Sequence, residues 1–381
     1  MTNPEGPEFR ASLLRWYASR KRDLPWRRTS DPYAIWVSEV MLQQTTAGAV
    51  IPYYERWLGL FPDIGTLARA PLQKVLRAWQ WLGYYARARN LHKAAKDIVR
   101  RFEGRLPNDE AALRTLPSFG PYTSAAVLSL AFGKPLPVVE ANVRRVMMRL
   151  LGIRGRAETK HDRRILAVLG GAISRRSPGR FNQAMMELGA LICRAGRPLC
   201  PRCPVRIFCA ADKAGNQEKI PLPKKTKATE VEAVVAVIRQ GGKVLIQKRP
   251  SSGLLAGLWE FPGGKCEPGE SLRAALAREI REELGVGLEE VRPLVTVQHA
   301  YTRFEVTLHA FLGRVRAEDL KAIRNKPGGL PRRWVALSAL GGYPFPSGSA
   351  KIIRHLGWSG PHKPHKAVVN RRGFRREGRV G

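Results

Sequence analysis

The sequence predicts a multidomain protein in which an all-α domain precedes an α+β domain. Three observations carry that reading. The chain has 381 residues, more than one average domain holds, which suggests two. Up to about position 210 the apolar residues recur at helical spacings, whereas beyond position 230 the pattern is that of strands. Between the two regimes lies Lys219-Ile-Pro-Leu-Pro-Lys-Lys-Thr-Lys227, a Lys/Pro-rich stretch of extended character. The expected boundaries are a helical domain over 9–210, a linker over 211–229, an α+β domain over 230–357 and a tail over 358–381.

In the first domain, Ile35, Val37, Val40, Met41 and Leu42 form one helical run leading into Val50 and Ile51. Ala125, Ala126, Val127, Leu128, Leu130 and Ala131 form another. Pro62, Pro71, Gly83, Pro107, Gly120, Gly133 and Pro137 punctuate the helices. In the second domain, 231–238 and 243–247 read as a hairpin around Gly241-Gly242. A helix over about 271–284 and strands near 291–315 complete it.

Charge narrows the function class. There are 66 Lys and Arg against 31 Asp and Glu, a formal net charge of +35. The excess divides into +20 up to position 210 and +15 beyond it, so both domains carry it. A polyanion partner follows. Membrane-surface binding is the rival, but no single amphipathic helix concentrates the charge. Ribosomal proteins are basic too, though usually shorter and poorer in Trp. No apolar stretch is long enough to span a bilayer, and MTNPEGPEFR has no signal core, so a cytoplasmic protein is expected. The segment 362–381 holds seven Lys/Arg and one Glu and reads as a disordered basic arm or a solubilising tail.

Four of the five cysteines fall at Cys193, Cys200, Cys203 and Cys209. Four thiols within one short span of a cytosolic protein argue for a metal rather than disulfides. Zinc and a [4Fe–4S] cluster are both compatible with the spacing. Either would be structural, since all four ligands are used.

The arrangement C-x6-C-x2-C-x5-C at the end of a helical domain resembles the iron–sulfur loop of the endonuclease III-like helix–hairpin–helix DNA glycosylases. Four further segments resemble the MutY family of adenine DNA glycosylases within that superfamily. They are Arg22-Asp-Leu-Pro-Trp-Arg27, Val37-Ser-Glu-Val-Met-Leu-Gln-Gln-Thr45, Leu82-Gly-Tyr-Tyr-Ala-Arg-Ala-Arg-Asn90 and Arg180-Phe-Asn-Gln-Ala-Met-Met-Glu-Leu-Gly189. The resemblance covers residues 9 to about 360. It implies a monomeric DNA repair enzyme with a [4Fe–4S] cluster on the four cysteines, removing adenine mispaired with 8-oxoguanine or guanine.

Breaking an N-glycosidic bond to adenine requires a protonated leaving base and a stabilised sugar cation, and two carboxylates can divide that work. The resemblance implies Glu39 and Glu140. Glu39 lies among Val37, Val40, Met41 and Leu42, where burial would keep it protonated. Glu140 stands in Pro137-Val-Val-Glu-Ala-Asn-Val-Arg-Arg145 where the family has Asp, so the charge is kept and a methylene is added. A displacement of about 1 Å can cost ~100-fold in rate. A catalytically weakened mismatch-binding protein is therefore the alternative. Tyr122 and Asn142 match further active-site positions, as groups that orient acid and sugar. Tyr122 also stands where lyase-competent relatives carry a catalytic Lys, which implies a monofunctional glycosylase.

Leu116-Pro-Ser-Phe-Gly-Pro-Tyr-Thr-Ser124 resembles the helix–hairpin–helix turn, with Ser118 at a usual Gly position and Gly120 before a helix start suited to a phosphate. The target base must leave the duplex stack, and the resemblance implies that Gln44 and Tyr84 enter the DNA near the mispair.

In the second domain, Gly264, Glu270, Arg278-Glu-Ile-Arg-Glu-Glu-Leu-Gly-Val286 satisfies every position of the Nudix box. Glu279, Glu282 and Glu283 share one helix face and could hold Mg²⁺ against a diphosphate. A charged surface helix with i,i+4 partners is the plainer reading. Gly257-Leu-Trp-Glu-Phe-Pro-Gly-Gly264 also looks MutT-like. In MutY relatives this domain recognises 8-oxoguanine and its box is usually degraded. Two expectations follow: lesion reading by the loop 298–304, with Tyr301, Thr302 and Arg303 as contacts, or additional hydrolysis of 8-oxo-dGTP.

Overall fold

A computed structural model of the chain describes residues 4–223, 229–301, 304–321, 323 and 329–357. Thr302 and Arg303, the side chain of Tyr301 and the basic tail 358–381 lie outside the described residues.

The first part is helical. Its elements are α1 (Pro7–Arg20), α2 (Pro32–Leu42), α3 (Ala47–Leu60), α4 (Ile64–Arg69), α5 (Leu72–Ala78), α6 (Ala86–Phe102), α7 (Glu110–Arg114), α8 (Pro121–Phe132), α9 (Ala141–Leu150), α10 (Asp162–Ala172), α11 (Pro178–Leu191) and α12 (Ala210–Lys213). The run expected from Ile35 to Ile51 is two helices, because the chain turns at residues 43–46. Asp31 starts α2 by accepting from the Tyr33 and Ala34 amides, with Pro32 in the first turn.

Two cores sit inside this part. One is built from α2 to α6 and α8, around Trp36, Trp57, Trp79 and Phe61. The other joins α1 to α9, α10 and α11, around Phe9, Tyr17, Met147 and Phe181. The first helix thus packs against the last ones. This second core also claims Ala211 and Ile220, which are fully or almost fully buried. The linker expected from 211 therefore begins with packed chain: α12 and the following turn close the core, and burial of apolar side chains overrides the polar, Pro-rich composition.

The second part is a sheet between two helices. Strands are β1 (Thr229–Gln240), β2 (Lys243–Lys248), β3 (Trp259–Glu260), β4 (Gly263–Lys265), β5 (Glu289–Tyr301), β6 (Phe304–Arg314) and β7 (Arg332–Ala336); helices are α13 (Leu272–Leu284) and α14 (Ser347–His355). The order is β3-β2-β1-β6-β5, with β4 on β1 and β7 on β2. β1 and β6 run parallel and the other pairs antiparallel. The alternation of β1 sends Val235 and Val237 to the core shared with α14, and Val234, Ala236 and Ile238 to the core shared with α13. Among the described residues no helix is long and apolar enough to cross a membrane.

The two parts meet along α5 and α6. Leu258 is a member of the first helical core. Gln73 Nε2 donates to the Gly257 carbonyl and its Oε1 accepts from Trp259 Nε1, each at 3.0 Å. Tyr85 donates to the Phe345 carbonyl at 3.1 Å, and Arg354 lies 4.5 Å from the Trp81 ring centroid.

Candidate active site

Glu39 occupies the last turn of α2, a helix whose residues from Tyr33 to Met41 are all buried. It is 3% exposed. Glu39 is thus not a surface carboxylate of an amphipathic helix. Its partner comes from α8, where the Tyr122 hydroxyl donates to Glu39 Oε2. Burial raises the Glu39 carboxyl to about 7, against the opposing pull of the Tyr122 hydrogen bond; the nearby charge of Glu140 raises it further and Arg27 lowers it. Burial raises the Tyr122 phenol as well, well above its ordinary value.

Glu140 is the N-cap of α9. Its Oε2 accepts from the Asn142 amide at 2.8 Å and its Oε1 from the Val143 amide at 2.9 Å. Capping is normally left to shorter side chains. Here the extra methylene still lets the carboxylate fold back onto the helix start. Burial raises its pKa, while the two amides, Arg145 and the Asn142 side chain hold it down. The two carboxylates thus come from helices of the two helical cores, and the charge of Glu140 raises the Glu39 carboxyl.

Asn142 is fixed from behind. Its Nδ2 donates to Glu140 Oε2 at 3.2 Å and its Oδ1 accepts from Arg145 Nη2 at 2.8 Å. Gly189 of α11 abuts it so closely that a Cβ there would stand 2.6 Å from the Asn142 Cβ. Arg145 also donates to the carbonyls of Gly189 and Cys193 at 2.8 and 2.9 Å. One turn on, buried Arg149 donates to the carbonyls of Ile220 and Arg194 and approaches Cys193 Sγ at 3.3 Å. Two arginines therefore tie the cysteine loop to the helix that begins at Glu140.

Cys193, Cys200, Cys203 and Cys209 all line one cavity, walled by Val146, Leu150 and Leu188. Burial raises Cys200 to about 11 and Cys203 to about 12, so deprotonating them needs a strong positive charge in their midst. Among the described residues no three His, Cys, Asp or Glu side chains converge as a single ion requires. All four thiols line the same cavity, and four thiolates are the donor set that either a zinc ion or a [4Fe–4S] cluster uses.

The helix–hairpin–helix turn leads into α8. Ser118 adopts φ +77°, in the left-handed region that glycine favours. Trp36 of α2 holds the turn, stacking on Phe119 at 5.0 Å and donating to Ser118 Oγ at 3.4 Å. Gly120 is the N-cap of α8 and supplies no side chain to its free amides. Gln44 and Tyr84 are both exposed and both left-handed, at φ +58° and +48°. Tyr84 is 39% exposed, which rules out a packed core aromatic.

A family model described as HhH-GPD superfamily base excision DNA repair protein matches residues 37–170, and one described as NUDIX domain matches 233–355. Mouse adenine DNA glycosylase is 34% identical over 359 residues, covering 80% of this chain and 70% of that protein. The chain belongs to the adenine DNA glycosylases. The human adenine DNA glycosylase is 35% identical over 361 residues, again 80% of this chain and 66% of the relative. The helical part is similar to the solved structure of a thermostable thymine-DNA glycosylase, with 28% identity and a TM-score of 0.50, covering 54% of this chain and 95% of that one. Members of this family are hydrolases acting on N-glycosyl bonds.

In this family member the Nudix box carboxylates are dispersed. Glu283 accepts from the Gly263 amide at 2.9 Å and from Gln247 Nε2 at 2.7 Å. Glu279 packs on Gly264, where a Cβ would collide with its carboxylate, and pairs with Arg278 at 3.0 Å. Glu282 is more exposed and 3.4 Å from the same arginine, which also grips Glu270 at 2.9 Å. The i,i+4 pair is present, and the three carboxylates do not converge on one point.

The sequence reading passed over three groups. Arg87 sits inside the quoted 82–90 segment yet is buried beneath Tyr84. Glu187 is fully buried and pairs with Arg22 and Arg27. Trp36 braces the hairpin. Arg87 and Glu187 stand inside quoted segments and Trp36 just before one, but their partners are distant in sequence and no spacing shows them.

Proposed function

We propose that this chain removes adenine mispaired with 8-oxoguanine or guanine from double-stranded DNA, hydrolysing the N-glycosidic bond and leaving an abasic site. The observation that carries it is a pair of carboxylates with divergent environments: Glu39 buried beneath Tyr122, and Glu140 seated on backbone amides at a helix start. Glu39, protonated up to about 7, donates its proton to the extruded adenine as the C1′–N bond breaks. Glu140 as carboxylate offsets the positive charge that develops on the sugar, with Asn142 keeping it in place. Water adds at C1′ and its proton returns to the ionised Glu39. With Tyr122 in place of an amine, no Schiff base forms, so the reaction is monofunctional.

DNA is gripped through its phosphates by the basic surface and the free amides after Gly120. Gln44 and Tyr84 enter the duplex beside the mispair. Cys193, Cys200, Cys203 and Cys209 would hold a [4Fe–4S] cluster, which stiffens the loop that Arg145 and Arg149 join to α9. The Nudix domain reads the base opposite through residues 298–304, with Tyr301, Thr302 and Arg303; 298–301 and 304 are not the expected loop but the ends of β5 and β6. The protein acts as a monomer on nucleoid DNA in the cytoplasm. A second reading, hydrolysis of 8-oxo-dGTP with Mg²⁺ at Glu279, Glu282 and Glu283, is favoured by the complete box, whose Glu283 and Glu279 lie against Gly263-Gly264, although the ion would have to draw the three carboxylates together.

The test is single-turnover excision from duplexes with adenine opposite 8-oxoguanine and opposite guanine. Excision abolished in Glu39→Gln supports the reading; equal rates in variant and parent reject it. Pyrophosphate or phosphate release from 8-oxo-dGTP with Mg²⁺ that is lost in Glu282→Gln supports the second reading, and no turnover removes it.

A further inference from the structure

Arg87 is 9% exposed and makes no ion pair among the described residues. It stands in the first turn of α6, where a cation opposes that helix's own dipole. Backbone carbonyls satisfy it instead. Nη1 donates to the carbonyls of Val40 at 3.0 Å, Met41 at 2.9 Å and Gln43. These are orphan acceptors at the C-terminal end of α2, where a cation is favourable. Nη2 donates to the carbonyls of Leu82 and Gly83, both at 3.2 Å. The guanidinium also lies 5.4 Å from the centroid of the Tyr84 ring and 5.2 Å from that of Trp79.

The loop it holds is strained. Trp81, Gly83 and Tyr84 all have positive φ, at +82°, +73° and +48°. Such backbone persists only when its surroundings over-determine it. Gln44, at the other end of the fan of bonds, is left-handed too. One buried side chain therefore clamps two strained turns, and one of its two hands holds the helix turn that carries Glu39.

We propose that Arg87 is a positioning residue that locks the 82–84 loop to the last turn of α2, so that base extrusion by Tyr84 and proton transfer from Glu39 share one fixed geometry. This rests on the assignment of Tyr84 and Glu39 made above. Arg87 touches neither base nor sugar. Its fork of donors spans both turns, which a lysine ammonium cannot do with the same reach.

The experiment uses the full chain and two duplexes: adenine opposite 8-oxoguanine for single-turnover excision, and 2-aminopurine opposite 8-oxoguanine, whose emission rises when the base leaves the stack. In Arg87→Met, DNA affinity is expected to stay within about threefold of the parent. The emission rise shrinks and excision slows by roughly 100-fold, the penalty of about 1 Å of misplacement. Arg87→Lys recovers part of both signals together. Parental emission and parental rate in Arg87→Met overturn the proposal. So does a slowed rate with a parental emission rise, because extrusion and chemistry would then be uncoupled. If Arg87→Met does not fold, the same two signals in Arg87→Lys decide, and a loss of one without the other counts against it. Excision that survives Glu39→Gln would sink the functional reading instead, and is recorded on the parent background.

Discussion

The Tyr122 hydroxyl donates to Oε2 of Glu39, joining the first turn of α8 to the last turn of α2 across 83 residues of chain. Burial would carry the Glu39 carboxyl higher still if this bond were absent, because a donor to the carboxylate favours its charged form. Parental excision is therefore expected to fall as pH rises through about 7. In Tyr122→Phe the fall should move to higher pH. Single-turnover rates across pH 5–9 check this, and an alkaline limb that stays in place would show that Glu39 is not the group being titrated.

The same carboxyl makes stability depend on pH. Its folded value, about 7, lies above the ordinary 4.5, so its contribution is fully present below about 4.5 and is lost as pH rises through about 7. Glu39→Gln removes the need to ionise a buried acid. It should stabilise the fold at pH 8.5 by ~1–3 kcal/mol and do little at pH 5. Urea midpoints at the two pH values give the comparison, and an equal shift at both would contradict the linkage.

Much of this was legible in the sequence because its causes are local. The change from helical to strand pattern marks the two parts, and the edges of α13 follow from Ser271 accepting the Ala274 amide and from Gly285 at φ +75°. Glu39 could be placed in an apolar helix by its neighbours. What could not be read is pairing over distance. Arg87 reaches carbonyls more than forty residues away, and carbonyls leave no mark in a sequence. Nor could the sequence show that Ile220 closes the second helical core, since its neighbours are those of a linker. The departure at Glu140 could be seen, but that a longer carboxylate still caps α9 could not.

That cap gives a separable prediction for Glu140. Glu140→Ala removes the acceptor for two amides and should cost about 1 kcal/mol of stability. Glu140→Gln keeps an acceptor of the same length and removes the charge. It should leave the thermal midpoint within a few degrees while single-turnover excision drops by about 100-fold or more. If Glu140→Gln and the parent excise alike, the charge on Glu140 is not used.

Glu187 is expected to matter for stability. Its side chain is fully buried and its carboxylate takes Arg22 at 2.7 Å and Arg27 at 2.8 Å. Burial would raise its pKa, but the hydrogen bonds from both arginines and the Arg22 amide outweigh that and set it at about 2. Its contribution is thus present above about 4.5 and lost as pH falls towards 2. Glu187→Gln leaves the largely buried Arg27 short of a counter-charge and should cost ~2–4 kcal/mol, discounted at the Arg22 side, which is 40% exposed. The cost should appear at pH 7 and shrink by pH 3 in denaturant titrations. A constant difference across that range would mean that packing, not charge, holds Glu187.

Ser118 offers a gain. Its φ of +77° strains any residue with a Cβ by roughly 1–2 kcal/mol, and glycine is free of that strain. Ser118→Gly gives up the Trp36 hydrogen bond, which at 3.4 Å is long, and it adds freedom to the unfolded chain. The Trp36–Phe119 stack remains to hold the hairpin on α2. The balance should favour the variant by about 0.5–1 kcal/mol, seen as a higher thermal midpoint with unchanged excision. A lower midpoint would mean that the serine hydroxyl, rather than the stack, anchors the turn.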